Sequence, residues 1–580
     1  MINKISVFFL IRFLLLEFKI LANSILNKFK IFSNFSFFNF LNYKFFNADL
    51  KFKDDNINKF LKKNYEATIN EKTEVLKKNK ILIELLLPHH LEPMIMNCLV
   101  GKDLQKFHKG HLVGLINKDD LLTKKIAESF GITDFIYLNK HSFLKRLCFF
   151  IHSLKIIKLN DIEEKLINLK FSGHEVGKAA LENYLRWYNN DIHKKNKFLL
   201  YLFLSKALLA LDDSKKIFKF KYKMFVIAEI QFLPNKLLFH CSLKSGIPVY
   251  CFSGASIINF IGRVYKSYTD RNSVQLKFSQ RLADLLIKIF KNKSLINFIK
   301  EKKGLENIGK EIVWSNTKIN KTINFSDKNK FCKFFNFDRK KKIILILPHA
   351  MSDNLYNNEW NIFDTAYDWY SQTIKKIKKR DDVNWLIKPH PYEYKFPGIT
   401  ARNIFDELKI QNKNIKFLDE LLHINKIYKF IDVVITGNGS AGYQYSSLGI
   451  PTITTSDARY SNFKFTLAPK NKKEYFNLLN KIKSLGKIKK DMIQRAQIYW
   501  LTTLGLFYNS HEFLPKIKQH GLFKKKLFFE KISRIKIHRY KRGSFSDDIF
   551  YQLKNKNRHS LNSSFYLKHK KKHNLKLNDI

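Results

Sequence analysis

The sequence predicts an α/β protein of two doubly wound domains that face a cleft, with an appendage at each end. Three observations predict it. Short runs that are apolar throughout alternate with helix-length amphipathic stretches, as strands buried on both faces of a parallel sheet do. That alternation occurs twice, on either side of a polar, Lys/Asn-rich segment with little pattern. With 580 residues, 45% of them hydrophobic, the chain can supply two or three cores and is not a disordered polymer.

The elements follow in order. Val7–Ala22 is apolar but carries Arg12, Glu17 and Lys19. It is short and charged for a membrane span, which needs ~20 largely apolar residues, and no small-residue cleavage site follows it. Three readings stand: a helix lying in a membrane interface, an ordinary docking helix, or an anchor centred on Phe8–Leu16. The rest of residues 1–75 is a Phe/Asn/Lys-rich appendage.

Residues 76–305 form the first domain. Its expected strands are Ile81–Leu87, a continuous apolar run closed by Pro88, then Leu112–Ile116, Asp134–Leu138, Met224–Ala228 and Pro248–Phe252. Helix-like stretches lie at Glu92–Phe107, Asp120–Phe130, Gly177–Tyr188, Phe198–Leu211 and Pro234–Lys244, and Leu276–Lys302 reads as a long amphipathic helix leading out. Residues 306–340 read as a linker. Residues 341–513 form the second domain, with strands Ile343–Leu347, Trp385–Lys388, Ile415–Phe417, Val433–Thr436 and Thr452–Thr454. Its helices are expected near Asn361–Lys379, Leu421–Phe430, Ala441–Leu448 and Lys472–Ser484. Residues 514–580 form a basic tail ending in Lys568–His573, either disordered or attached to an acidic membrane surface.

The formal charge of +55 is spread along the chain as Lys among Asn, Ile and Phe, a bias that an AT-rich genome would produce. It favours anionic partners without choosing among them. A nucleic-acid-binding protein would add aromatics to basic residues on a recognisable module, and none is found. The five cysteines have no CxxC spacing, which suits a reducing cytosol. His89-His90 with Glu92 lacks the spacing of a helical zinc site, and Asp381-Asp382 precedes a strand, so no metal site is expected.

Three strand ends in the second domain carry candidate chemistry. Val433–Thr436 runs into Gly437-Asn438-Gly439-Ser440-Ala441-Gly442, where glycines let backbone N–H groups approach a phosphate and a helix begins. Ser440 is placed to cap that helix or to offer its hydroxyl to a ligand. A tight strand–helix turn with no ligand is the plainer reading of that loop alone. Trp385–Ile387 ends in Lys388-Pro389-His390-Pro391, whose prolines fix a loop carrying a cation and an imidazole suited to a departing phosphate. Leu347-Pro348-His349 ends the third. In the first domain Tyr184, Arg186 and Trp187 are either a sugar- or phosphate-binding face or one side of a packing helix.

The segments Lys388–Pro391, Ile435–Gly442 and Leu448-Gly449-Ile450-Pro451-Thr452 together resemble the capsule polysaccharide biosynthesis family, which includes the bacterial Kdo-transferring capsule enzymes. More distantly they are similar to teichoic acid glycerophosphotransferases and bacterial sialyltransferases. The overlap is strong over Ile343–Leu467 and weaker over Phe225–Tyr268, around Gly246-Ile247-Pro248-Val249-Tyr250. The resemblance implies a GT-B-like fold of two Rossmann-like domains, the first facing the acceptor and the second holding a nucleotide-sugar donor. It implies metal-independent transfer to a glycan or lipid-linked acceptor, with no cofactor, for capsule or other surface polysaccharide. His390 matches the family's His-Pro histidine and Ser440 its hydroxyl after the glycine turn. The donor set is then Lys388, His349, Thr436, Gly437, Asn438, Gly439, Ser440, Ala441 and Gly442.

No motif identifies the general base. On physical grounds it is a carboxylate or histidine at a strand end of the first domain: Glu229 first, then His174 or Glu175. Such an enzyme is expected at the cytoplasmic face of the cell membrane, peripherally bound to its anionic surface. A glycerophosphotransferase or a sugar-nucleotide epimerase on the same fold is the alternative, and fold alone does not separate them.

Overall fold

The computed structural model describes residues 7, 9–18, 55–69, 75–86, 91–138, 141–157, 162–188, 196–256, 259–272, 280–290, 321–351, 362–363, 365–390, 393, 399–419, 422–424, 426–455, 458–502 and 545–556.

The first sheet comprises β1 (Leu76–Leu85), β2 (Gly110–Asn117), β3 (Asp134–Leu138), β4 (Met224–Ile227), β5 (Val249–Ser256) and β6 (Asn259–Tyr265). Its order is β3-β2-β1-β4-β5-β6, parallel throughout except for the β5–β6 hairpin. Helices cover both faces, so β4 is apolar and buried along its whole length. The chain starts in the middle at β1, builds outward to β3, then crosses back to β4, so the order reverses between β1 and β4. In a doubly wound sheet that reversal opens a crevice at the carboxyl ends of the two strands.

The second half repeats the plan. After β7 (Lys321–Ile323) come β8 (Ile343–Leu347), β9 (Asn384–Ile387), β10 (Ile415–Phe417), β11 (Leu422–Ile424), β12 (Val433–Thr436) and β13 (Thr452–Ile453). The main sheet has the order β10-β9-β8-β12-β13, all parallel, with its reversal between β8 and β12. The expected fold class, two doubly wound parallel sheets with additions at both ends, is the fold observed.

Several segments differ from expectation. Leu421–Phe430, expected as a helix, is β11 followed by a single 3₁₀ turn at Ile427–Lys429. Lys426 has φ 52°, which interrupts any helix, and Leu422–Ile424 instead pairs with Lys321–Ile323, about a hundred residues earlier. The span 306–340, expected as a linker, contains that β7 partner and a helix, Lys328–Phe335, capped by Asp327. Phe331, Cys332 and Phe335 of this helix are buried in the core of the second sheet. Gln280–Phe290 joins the same core through Ala283, Leu286 and Phe290. The span 514–580, expected as a tail, contains the helix Phe545–Lys554, whose Phe545 and Ile549 are buried with Ile81, Ile83 and Val226 of the first sheet. Tyr250 Oη donates to Gln552 Oε1 at 3.1 Å across the same contact.

Near the N-terminus, residues 9–18 are helical. Phe9 and Phe13 are buried in the first core, with Phe13 stacked on Phe150 at 4.4 Å. The guanidinium of Arg146 donates to both carboxylate oxygens of Glu17. No helix among the described residues is long and apolar enough to cross a membrane.

Candidate active site

The three chemistry-bearing segments of the second domain meet at one end of its sheet. β8 lies between β9 and β12, so the segments after the three strands emerge side by side. With neighbouring strands ~4.8 Å apart, β9 and β12 are about 10 Å from each other, a span that one diphosphate can bridge. All three leave the carboxyl ends of parallel strands, those of β8 and β12 directly at the reversal point and that of β9 one strand away, at the edge where doubly wound sheets bind ligands.

The Lys388 segment is held closely. The Lys388 N–H donates to the carbonyl of Ile346 at 3.0 Å, extending the ladder one residue past β9, and the Lys388 side chain is largely buried. The two expected histidines come together: the rings of His349 and His390 pack edge to face with centroids 5.9 Å apart. Glu393, which the sequence reading missed, ties His390 to the start of the next helix. Its N–H donates to the His390 carbonyl at 2.9 Å, and its buried carboxylate accepts from the N–H of Ala401 at 2.6 Å. A lone glutamate three residues after His390 gave no signal, because its partner begins the next helix.

The glycine loop separates into two parts. A Cβ at Gly442 would lie 1.9 Å from the hydroxyl of Tyr460, so this glycine is required by packing. Tyr460 is fully buried, and its hydroxyl donates to the Gly439 carbonyl at 3.0 Å, fixing the turn from below. Gly437 differs: a Cβ there meets nothing within 4 Å, and its φ is not in the left-handed region. Among the described residues, neither backbone geometry nor a neighbour explains a glycine at 437. At Gly439 the nearest atom, Thr436 Oγ1, is at 3.4 Å, an ordinary contact. Asn438 and Ser440 lie half-buried at the surface of the loop and Thr436 is buried beneath it.

Ser440 departs from its expected role as a helix cap. It has helical dihedrals, φ −59° and ψ −23°, and its side chain makes no capping bond. The helix it precedes, Ala441–Ser446, is only six residues long, so its dipole adds little. The loop's polar groups toward the surface are therefore its backbone N–H groups and the Asn438 and Ser440 side chains, not a capped helix terminus.

In the first domain, Glu229 stands two residues past β4, at the reversal point of its own sheet. One carboxylate oxygen accepts from Phe232 N–H at 3.0 Å and the other from Gln231 N–H. Burial raises its pKa to about 7 against those two bonds and the favourable charge of Arg186, and the nearby Glu84 carboxylate adds to the rise. Glu84 is the second residue missed. It lies inside β1, in the run read as wholly apolar, and is almost fully buried. It accepts from Leu86 N–H at 2.7 Å and from the Asn97 amide at 3.2 Å, and burial raises its pKa to about 7 as well. Two carboxyl groups with raised proton affinity thus flank the first sheet's reversal point.

His174 is elsewhere. It is buried beside Cys241, with Sγ 3.9 Å from the ring, and lies edge-on to Tyr268. Burial, aided by Lys244 and Lys215, lowers its pKa to about 4, so it packs as a neutral ring. Glu175 is half-buried next to it. Tyr184 packs inward, its hydroxyl accepting from Asn196 N–H at 2.9 Å, and Arg186 lies over the Phe232 ring at 4.6 Å. The Trp187 side chain and the His89-His90 pair lie outside the described residues. Asp382 forms a bidentate pair with Arg380 in the turn before β9.

No family model matches the chain, and no curated protein matches it either. Among solved structures, it is similar to the Thermosulfurimonas dismutans KpsC beta Kdo 2,4 transferase, at 10% identity over 54% of this chain and 87% of that one, TM-score 0.28. It is also similar to S. aureus MnaA in a co-structure with UDP, at 9% identity over 73% and 91%, TM-score 0.26. A glycosyltransferase from Rickettsia africae ESF-5 aligns at 13% identity over 74% and 94%, TM-score 0.26. At such scores the overlays are partial, and the fold assignment rests on the chain's own strand order: two doubly wound sheets, each reversing beside a set of polar strand ends.

Proposed function

We propose that this chain is a glycosyltransferase that moves a sugar from a nucleotide-activated donor in capsule or other surface polysaccharide synthesis. The observation that carries the reading is the meeting of Lys388, His390, His349 and the 436–442 loop at the carboxyl ends of three adjacent strands. Positive charge grows on the sugar ring during transfer while negative charge gathers on the departing diphosphate. Cationic and N–H donors fixed beside that diphosphate stabilise the transition state more than the ground state. In this reading Lys388 and His390 neutralise the leaving group, and Thr436, Gly437, Asn438, Gly439, Ser440, Ala441 and Gly442 line the donor's phosphates, with His349 supporting His390. No metal is assigned to the transfer, because this cationic set supplies the charge that a metal would. Glu229 is assigned as the base toward the acceptor, a glycan or lipid-linked sugar, since a carboxyl with a pKa near 7 is matched to proton transfer at neutral pH. The enzyme is assigned to the cytoplasmic membrane surface.

The test is turnover and nucleotide affinity in single variants. His390→Ala is expected to lower turnover by roughly 10² to 10³, as loss of one oxyanion-type donor does. Ser440→Ala is expected to cost less, since backbone donors remain. Glu229→Gln is expected to abolish transfer while nucleotide binding persists. Unchanged turnover and affinity in His390→Ala would remove the proposal. Conversion of the donor sugar to its epimer without an acceptor would replace transfer by epimerisation.

A further inference from the structure

We propose that the helix over residues 9–18 grips the protein with one face and inserts its other face into an anionic lipid surface. This deepens the membrane-surface assignment made above, and it rests on an arrangement of side chains independent of the donor site. Phe9, Phe13 and Glu17 hold the helix to the first domain through Phe198, Tyr201, Phe150 and Arg146. At 100° per residue the opposite face consists of Val7, Ile11, Leu14, Leu15 and Phe18. All five are apolar, and their side chains are 44%, 49%, 40%, 62% and 70% exposed. A docked surface helix normally turns polar residues to water on that side. The apolar surface extends beyond the helix. Arg146, which binds Glu17, is in the first turn of Phe143–Ile156, where Phe143 and Leu144 are 41% and 68% exposed.

The exposed apolar face, taken together with the charge, selects the occupant. Lys4 and Lys19 flank the helix in sequence, and the whole chain carries +55, so an anionic bilayer attracts it over a long range. For insertion at a headgroup boundary, one apolar helix face with basic flanks is sufficient.

The experiment uses the full chain and a Leu15→Gln/Phe18→Gln double variant, cosedimented with phosphatidylcholine vesicles with and without phosphatidylglycerol. Both substituted side chains face outward, so the thermal midpoint is expected to be unchanged. The parent chain is expected to bind the phosphatidylglycerol vesicles, and the double variant to partition at least about tenfold more weakly. Equal binding by the two proteins, or no binding by the parent chain, overturns the inference. So does a concentration-dependent dimer of the parent chain that the double variant lacks. Nucleotide binding measured on the same samples separates this result from the catalytic reading. Loss of vesicle binding with nucleotide binding intact concerns the helix alone, and the reverse concerns the donor site alone.

Discussion

At the residue scale, the glycines of the 436–442 loop separate packing from access. Gly442 lies against the buried Tyr460, where an added methyl would sit 1.9 Å from a hydroxyl. Gly442→Ala is therefore expected to destabilise the protein by the 1–3 kcal/mol typical of overpacking, read as a lowered thermal midpoint. Among the described residues a methyl at 437 meets nothing within 4 Å, so Gly437→Ala should leave stability unchanged. If the loop's backbone faces a donor phosphate, the same methyl should weaken nucleotide affinity at least about tenfold. Unaltered affinity in Gly437→Ala would mean that no ligand closes over that part of the loop.

The carboxyl pair of the first domain makes a second prediction at this scale. Glu84 and Glu229 have folded-state pKa values of about 7, above the ordinary 4.5, with burial as the leading cause for both. A group whose pKa rises on folding contributes stability below its unfolded value and loses that contribution as pH climbs through its folded value. Their contribution is thus present below pH 4.5 and gone above about 7. His174 acts in the opposite sense: its contribution is present above 6.5 and lost as pH falls toward about 4. Glu229→Gln cannot ionise, so its stability relative to the parent chain should improve between pH 5 and pH 8. Urea midpoints at the two pH values would give this directly, and an equal difference at both would refute it.

At the element scale, the helices outside the two alternating units explain how the halves are completed. Gln280–Phe290 and Lys328–Phe335 bury Ala283, Leu286, Phe290, Phe331 and Phe335 in the second core, although both precede β8. A piece beginning at residue 341 exposes the surface that these side chains cover. At ~1.5–3 kcal/mol for each large side chain, the loss approaches the 5–15 kcal/mol stability of a whole domain. Residues 280–502 are therefore expected to unfold cooperatively on heating, whereas residues 341–513 should show no transition. Equal transitions in both would show the two helices to be dispensable. Lys328–Phe335 escaped the sequence reading because it is short, flanked by polar residues and packs against elements distant in the chain; Gln280–Phe290 lies within the expected helix Leu276–Lys302, and only its docking on the second core was unforeseen.

On the scale of the whole molecule, the sequence by itself determined the two alternating units and most of their strands. A strand buried on both faces must be apolar throughout, and that requirement is local. It also located the Lys388–Pro391 and Thr436–Gly442 segments, because proline and glycine act on the backbone wherever they occur. Only the tertiary structure decided the order of the strands, and with it the placement of β8 between β9 and β12 that brings His349 beside His390. Only the structure revealed Glu84 as a buried partner of Glu229, since a single carboxylate within an apolar run is explained by what crosses over it. The return of Phe545–Lys554 to the first sheet belongs to the same class. Strand order, carboxylate pairing and helix docking all depend on contacts between residues far apart in the chain, and local periodicity and propensity carry no record of such contacts.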